Sequence, residues 1–172
     1  MKQKNQLVMT LIVLAINLLL DRITKLLASS YLEGQETISY FYNTIVLRYA
    51  ENSGAFLSLG SNWPDIVKYT LLLAIPILAC LYGLYYCAFK LTDKKLVIVI
   101  VSIIGGGLGN LIDRLLNDFR VVDFLNFGIG SVRTGILNVA DMSVTFGIVF
   151  LLFYRFNGGT IKPKPEESTS QR

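Results

Sequence analysis

Residues 96–116, LVIVIVSIIGGGLGNLIDRLL, form an apolar run that polar side chains interrupt only at Ser102 and, near its end, at Asn110, Asp113 and Arg114. A helix needs about 20 mostly apolar residues to cross a hydrocarbon core of ~30 Å. Three other runs have similar length and character, at residues 7–27, 67–89 and 139–156. We therefore expect an all-α integral membrane protein built as a bundle of four transmembrane helices.

The composition supports one membrane domain. The chain has 172 residues, of which 53% are hydrophobic, and its mean hydropathy is +0.54, too high for an ordinary soluble domain. The first run is longer than the ~7–15 apolar residues of a cleavable signal peptide, so we expect a retained anchor. Residues 1–156 should form a single domain. The polar stretch 157–172 should be a disordered cytoplasmic tail.

Charge predicts the orientation. Seven of the nine lysines fall on one side of the predicted spans, which the positive-inside bias makes cytoplasmic. Both termini should then be cytoplasmic, and the net charge of +4 reflects topology, not nucleic-acid binding. The cytoplasmic lysines are Lys2, Lys4, Lys90, Lys94, Lys95, Lys162 and Lys164, against Lys25 and Lys68 outside.

Two segments should lie outside. Residues 28–66 are rich in aromatic side chains, and the part at 38–49 is typical of strands lying at the lipid headgroup level. Those rings either anchor the fold as an aromatic belt or face a substrate. Residues 117–137 should form a glycine-punctuated loop that returns Asp123 to the membrane surface. The short connection at 90–95 should make spans two and three antiparallel neighbours.

The acids converge on one level. Asp21, Asp113 and Asp141 all fall at the outer ends of spans, together with Asn52, Asn110 and Asn138. Ionisable groups at such depth are costly and mark functional sites. Since the chain contains no histidine, carboxylates are the leading candidates for catalysis.

Each acid also has a structural interpretation. Asp21 can pair with Lys25 one helical turn away, while Arg22 extends towards the interface. Asp113 can pair with the adjacent Arg114 or join a network that ties the loop to the helix. Asp141 with Asn138 can cap span four. Asp123 can be a solvated loop acid.

Other features favour structural roles. Gly105, Gly106, Gly107 and Gly109 lack the context of a phosphate-binding loop and indicate close helix packing. Cys80 and Cys87 are seven residues apart on one predicted helix, ~10.5 Å by helical rise, too far to form a disulfide. A Ser-Lys protease would need Lys25 or Lys68 beside Ser53 or Ser58.

Five motifs in order resemble lipoprotein signal peptidase, the bacterial type II signal peptidases. They are DRITK at 21–25, NSGA at 52–55, GGLGNLIDR at 106–114, VDFL at 122–125 and NVAD at 138–141. The resemblance covers roughly residues 7–156. It implies a four-helix aspartyl protease of the bacterial inner membrane, with a small β-rich cradle and the active site near the extracytoplasmic face.

The resemblance also implies chemistry and partners. The enzyme would cut diacylglyceryl-modified prolipoproteins before the lipidated cysteine, with membrane lipids around it, as a monomer and without metal or cofactor. Asp123 and Asp141 would be the catalytic pair, sharing one proton and activating water. The supporting positions would be Asp21, Asn52, Gly54, Asn110, Asp113, Arg114, Asn138 and Ala140.

Three positions depart from the family pattern: Arg22, Phe56 and Leu137 stand where Gln, Ala and Phe are usual. They concern substrate preference and packing, since no carboxylate is lost. The alternative function is a small ion transporter or channel with intramembrane acids as a relay. A relay would place carboxylates through the membrane depth, whereas the interiors of spans two and three contain none.

Overall fold

The computed structural model describes residues 3–55 and 59–161. It contains four helices long and apolar enough to span a membrane, which confirms the predicted bundle and a multi-pass membrane protein. They are α1 (Gln3–Leu32), α2 (Asp65–Phe89), α3 (Lys94–Leu116) and α4 (Val139–Phe156). The predicted tail from residue 162 onward, Lys2, Phe56 and Ser58 lie outside the described residues.

The helix boundaries follow from capping and proline chemistry. Asp93 precedes α3, and its carboxylate accepts the backbone N–H groups of Lys95 and Leu96. Inside α2, the segment Tyr69–Ala74 is π-helical and is followed by Pro76 near the start of the α-helical part Ile75–Phe89. Because proline lacks an N–H, it interrupts the regular hydrogen-bond ladder, and a wider turn accommodates the gap.

Helix α3 is the centre of the bundle. It packs against all three other helices, and its buried side chains include Leu96, Val97 and Val101. Its glycines permit close approach, as predicted: a Cβ on Gly105 would lie 2.7 Å from Asn17 Cβ on α1, and one on Gly106 would collide with the Ala140 carbonyl on α4. The sequential neighbours α2 and α3 pack together across their short connection.

A small antiparallel sheet completes the fold. Its strands are β1 (Ile38–Tyr40), β2 (Ile45–Asn52), β3 (Val121–Ile129) and β4 (Val132–Arg133), in the order β1-β2-β3-β4. The strands predicted within 38–49 are thus confirmed. In the β2–β3 pair Ile45 lies opposite Phe127 and Ala50 opposite Asp123, with a register shift between Leu47 and Ala50.

The prediction of a loop over residues 117–137 was wrong, because β3 and β4 occupy most of it. The first four residues of β3 are buried on both faces, so they lack the alternation that marks a strand with one exposed side. Val122 and Phe124 pack on the end of α1 at Ala28 and Leu32. This contact fixes the sheet to the bundle beside the predicted acids.

Both cysteines are free, as their spacing predicted. Cys87 is buried in the core cluster with Leu91, Leu96, Val97 and Val101. Cys80 is half-buried.

Candidate active site

The site lies where the ends of α1 and α3, the start of α4 and strands β2 and β3 meet. Asn138 connects its two central acids. The Asn138 side-chain amide donates to Asp123 Oδ1 at 2.6 Å, and the Asn138 backbone N–H donates to Asp141 Oδ2 at 3.2 Å. One residue therefore orients both carboxylates, which come from different elements of the fold.

Local sequence explains the position of Asp141. Asn138 is the N-cap of α4, and its side-chain oxygen accepts the Asp141 N–H at 2.9 Å. The interpretation that Asn138 and Asp141 cap this helix is confirmed, and the cap is a reciprocal capping box. The capping bond uses Oδ2 of Asp141. The other carboxylate oxygen, Oδ1, accepts the Asn110 side-chain amide at 2.9 Å.

Asp123 is buried, not solvated, so the interpretation as a surface loop acid was wrong. It is 3% exposed in β3, and its Oδ2 accepts the Asn52 amide at 3.2 Å. Burial, followed by the nearby charge of Asp141, raises the pKa of Asp123 to about 7, although the two asparagine amides act in the opposite direction. Asp123 can thus hold or release a proton near neutral pH.

Lys25 lies at the centre of a buried charge cluster behind this pair. Its ammonium group contacts Asp21 at 2.7 Å and Asp113 at 3.0 Å, and it donates to Asn110 Oδ1 at 2.9 Å. The Lys25 side chain is 1% exposed. The predicted pairing of Asp21 with Lys25 is confirmed, but Lys25 was not predicted to reach Asp113 and Asn110.

The predicted ion pair between Asp113 and Arg114 was wrong. Asp113 pairs with Lys25 and, at 3.2 Å, with the 43% exposed Arg22, both on α1. Successive helical side chains point about 100° apart, so Arg114 faces elsewhere. The alternative, a network tying the following segment to the helix, is confirmed because Asp113 Oδ2 accepts the Val122 N–H at 3.3 Å.

Arg114 holds the turn after β2. Its guanidinium donates to the Gly54 carbonyl at 2.6 Å and to the Asn110 carbonyl at 3.3 Å. The Gly54 N–H in turn donates to Asn52 Oδ1 at 2.9 Å, so Asn52 links this turn to Asp123. Arg114 therefore positions backbone next to the acids.

Ala140 links the cluster to α4 through its backbone. It is 1% exposed, and its N–H donates to Asp21 Oδ1 at 3.0 Å. With it, all ten residues predicted for the site lie in one connected network. In the described parts of the chain, no group of three or more Cys, Asp or Glu side chains is placed to hold a metal ion.

A cavity of about 260 Å³ opens beside Asp141, between α2, α3 and α4. Asn110, Arg114 and Asp141 supply its polar wall. The remaining wall is mainly apolar. Its residues from α2 were not predicted, because nothing in the sequence of an apolar span marks which face lines a cavity. They are Leu71, Leu72, Pro76 and Cys80.

The chain is similar to known proteins over most of its length. Residues 13–157 match the family model of signal peptidase (SPase) II. The chain is 34% identical over 156 residues to the lipoprotein signal peptidase of Borrelia duttonii, covering 88% of this chain and 91% of that protein. It is 35% identical over 147 residues to that of Treponema denticola, covering 82% and 84%.

The fold also matches solved structures. A bacterial membrane enzyme structure obtained by the in meso method at 2.3 Å resolution superposes with a TM-score of 0.73 and 21% identity, covering 95% of this chain and 93% of that one. A second, at 1.9 Å, gives 0.68 and 22%, with 85% and 91% covered. The family model spans most of the chain and all the residues of the site, so this protein belongs to the signal peptidase II family.

Proposed function

We propose that Asp123 and Asp141 are the catalytic pair with which this membrane protease removes signal peptides from prolipoproteins. Family membership supports the reaction. The observation that carries the residue assignment is the bridge through Asn138, which holds both carboxylates by its own side chain and backbone. Such a pair needs neither a metal nor a covalent intermediate to activate water.

The surroundings support different roles for the two acids. Asp141 lies in the first turn of an 18-residue helix, where the helix dipole, a backbone N–H and an amide stabilise a carboxylate against the cost of its burial. One residue connects Asp141 to Lys25, because Asn110 donates to Asp141 and accepts from the Lys25 ammonium group. Asp123 is buried in a strand and has a pKa of about 7. Asp141 is then the general base, and Asp123 carries the shared proton.

The reaction follows from these states. Asp141 takes a proton from water as the water oxygen attacks the scissile carbonyl carbon, and Asp123 gives its proton to the carbonyl oxygen. The tetrahedral intermediate collapses when the C–N bond breaks and the leaving amine takes the proton from Asp141. The carbonyl oxygen returns its proton to Asp123, which restores the starting states.

The substrate is a diacylglyceryl-modified prolipoprotein, cut before its lipidated cysteine. The cavity beside Asp141 suits this assignment: its α2 wall is apolar and reaches into the span, where the hydrophobic part of a signal peptide lies. We place the active site on the extracytoplasmic side and both termini in the cytoplasm of the bacterial cell, following the lysine distribution. The four helices enclose one site, so the working unit is a monomer among membrane lipids.

The test is cleavage of a synthetic lipopeptide by Asp123→Asn and Asp141→Asn variants. Both should lose at least ~100-fold in rate, the low end of what an acid or base contributes. Asp118→Asn is the matched control, because Asp118 is exposed and lies outside the network. Its φ angle of 49° is one that asparagine tolerates well. An unlipidated peptide tests the substrate class.

Turnover near the wild-type rate in either variant would refute the catalytic pair. Equal cleavage of lipidated and unlipidated peptides would refute the substrate assignment while leaving the pair intact.

A further inference from the structure

Two neighbouring hairpin turns expose the most apolar part of the sheet. In the β1–β2 turn, Phe41 is 74% exposed and Tyr42 is fully exposed. In the β3–β4 turn, Ile129 and Val132 are 78% and 79% exposed. We call these four residues the hairpin tip. Singly exposed apolar residues are common, but four in two adjacent turns form a patch that requires an explanation.

The two turns form one surface because hydrogen bonds hold them together. The Gly128 N–H donates to the Thr44 carbonyl at 2.9 Å. The Arg133 guanidinium donates to the Asn43 carbonyl at 2.7 Å. The tip therefore moves as a unit with the ends of β2 and β3.

The backbone of the first turn is strained. Phe41, Tyr42 and Asn43 have φ angles of 50°, 54° and 65°. Asparagine tolerates this left-handed region, but aromatic residues rarely adopt it, and glycine would relieve the strain. The chain instead places two aromatic rings at the outermost point of the sheet. Strain of this kind is usually kept for a function.

One face of the sheet lies over the end of α1. A cavity of about 490 Å³ separates it from α1, lined by Thr24, Leu27 and Tyr31 on the helix and by Leu47 and Phe124 on the strands. Thr24 lies eight residues before the end of α1 at Leu32, ~12 Å down the helix axis. The sheet thus overhangs a part of α1 that belongs to the predicted span 7–27, and the tip lies at the turn ends of its strands.

Charge identifies the partner. Residues 37–50 and 124–138 contain no acid and one arginine each, Arg48 and Arg133, so their net charge is +2. Among the described residues, no carboxylate lies within ion-pair distance of either arginine. The Arg133 guanidinium is used inside the protein, because it donates to Asn126 Oδ1 at 2.6 Å and to the Asn43 carbonyl, and its Nη2 is buried. Arg48 is exposed, so it is the cation that this surface offers to a partner. An anionic surface would complement this charge, and lipid phosphates provide one next to a membrane-embedded bundle.

We propose that the hairpin tip inserts into the headgroup region of the leaflet on the active-site side, with the exposed Arg48 facing lipid phosphates. Aromatic rings are enriched at that depth because they have an apolar body and, in tyrosine, a polar end. The inserted tip holds the far end of β3 at a fixed depth. Because Asp123 is on the same strand, the tip also sets the depth of the proposed catalytic pair.

The experiment measures the depth of a tryptophan at the tip. Trp63 is the single tryptophan of the chain, so Trp63→Phe provides a dark background. In that background, Tyr42→Trp is reconstituted in nanodiscs whose phosphatidylcholine acyl chains are brominated near the headgroup. We expect a blue-shifted emission, several-fold weaker than in unbrominated nanodiscs, and protection from acrylamide.

Glu33→Trp is the matched control, since Glu33 is exposed and lines a polar hollow with Glu51 and Arg120 on another part of the surface. Its emission should respond to acrylamide and not to bromine. If the Tyr42→Trp variant behaves in the same way, the tip faces water and the proposal is refuted. Protection from both quenchers would also refute it, because protein, such as a second copy, would then cover the tip.

A second variant tests Arg48. Adding phosphatidylglycerol should increase bromine quenching in Tyr42→Trp, and Arg48→Gln should remove that increase. An increase that survives this substitution would overturn the role of the lipid phosphates.

Discussion

Replacing Lys25 by methionine should destabilise the protein more than any exposed charge substitution. The methionine fills similar space but leaves Asp21 and Asp113 without the cation that contacts them at 2.7 and 3.0 Å. Both carboxylates are almost fully buried, at 2% and 1% exposure. Removing one partner of a buried ion pair costs about 3–5 kcal/mol, because the other charge stays buried.

That cost predicts a large thermal shift. For a chain of this size, each kcal/mol lowers the melting temperature by ~2–4 °C, so Lys25→Met should melt about 6–20 °C below wild type in the same detergent. Arg120→Gln is the control, because Arg120 pairs with Glu51 at 2.7 Å on the surface, where the two side chains are 58% and 37% exposed. That variant should melt close to wild type, since solvent screens the pair.

A double substitution separates this mechanism from simple packing loss. In Lys25→Met with Asp21→Asn, the acid that has lost its cation is neutralised, whereas Asp113 keeps its pair with Arg22 at 3.2 Å. The double variant should therefore be more stable than the sum of the single effects predicts. Additive losses, or a Lys25→Met variant that melts with wild type, would refute the view that Lys25 neutralises the buried acids.

Two further outcomes concern the acids and the helix packing. The rate of lipopeptide cleavage should fall as the pH rises through about 7, because Asp123 then loses the proton that it donates. Its folded pKa lies above the unfolded value of ~3.9, so folding binds a proton between these pH values, and the free energy of unfolding should fall as the pH rises through them. Asp123→Asn should make this slope smaller in a denaturant titration, and an unchanged slope would refute the assignment. Gly109→Ala should lower the melting temperature, since a Cβ at Gly109 would lie 2.6 Å from Asp21 Oδ2. Gly107→Ala should fold normally, because the nearest neighbour of a Cβ at Gly107 is Cys80 Sγ at 3.6 Å. Equal melting temperatures for the two alanine variants would contradict this difference.

Much of the site was predictable because its signals are local. Asn138 and Asp141 form a capping box three residues apart, and Asp21 and Lys25 pair across one helical turn. The partner of Asp113 was not predictable, because Arg114 is adjacent in sequence while Lys25 is nearer in space. Helical geometry separates neighbouring side chains, and only the packing of α1 on α3 shows which cation faces the acid.

The fold shows the same division. The apolar runs predicted all four helices, but α1 extends from Gln3 to Leu32, beyond the expected 7–27. The composition of its last residues does not predict that they lie in the membrane. Packing on the sheet through Ala28 and Leu32 stabilises this end of the helix instead. Strand β3 was missed for a related reason: a strand covered on both faces loses the alternation by which strands are recognised.

The sequence by itself determined the four spans, the common depth of the acids and the caps, because each depends on run length or on contacts within one helical turn. Only the tertiary structure decided which groups share a site. The bond from the Ala140 N–H to Asp21 joins residues 119 positions apart, and Asn138 reaches Asp123 only because β3 pairs with β2 and packs on α1. Burial and the approach of charges depend on this packing, so they, and with them the pKa of Asp123, arise only once the chain has folded.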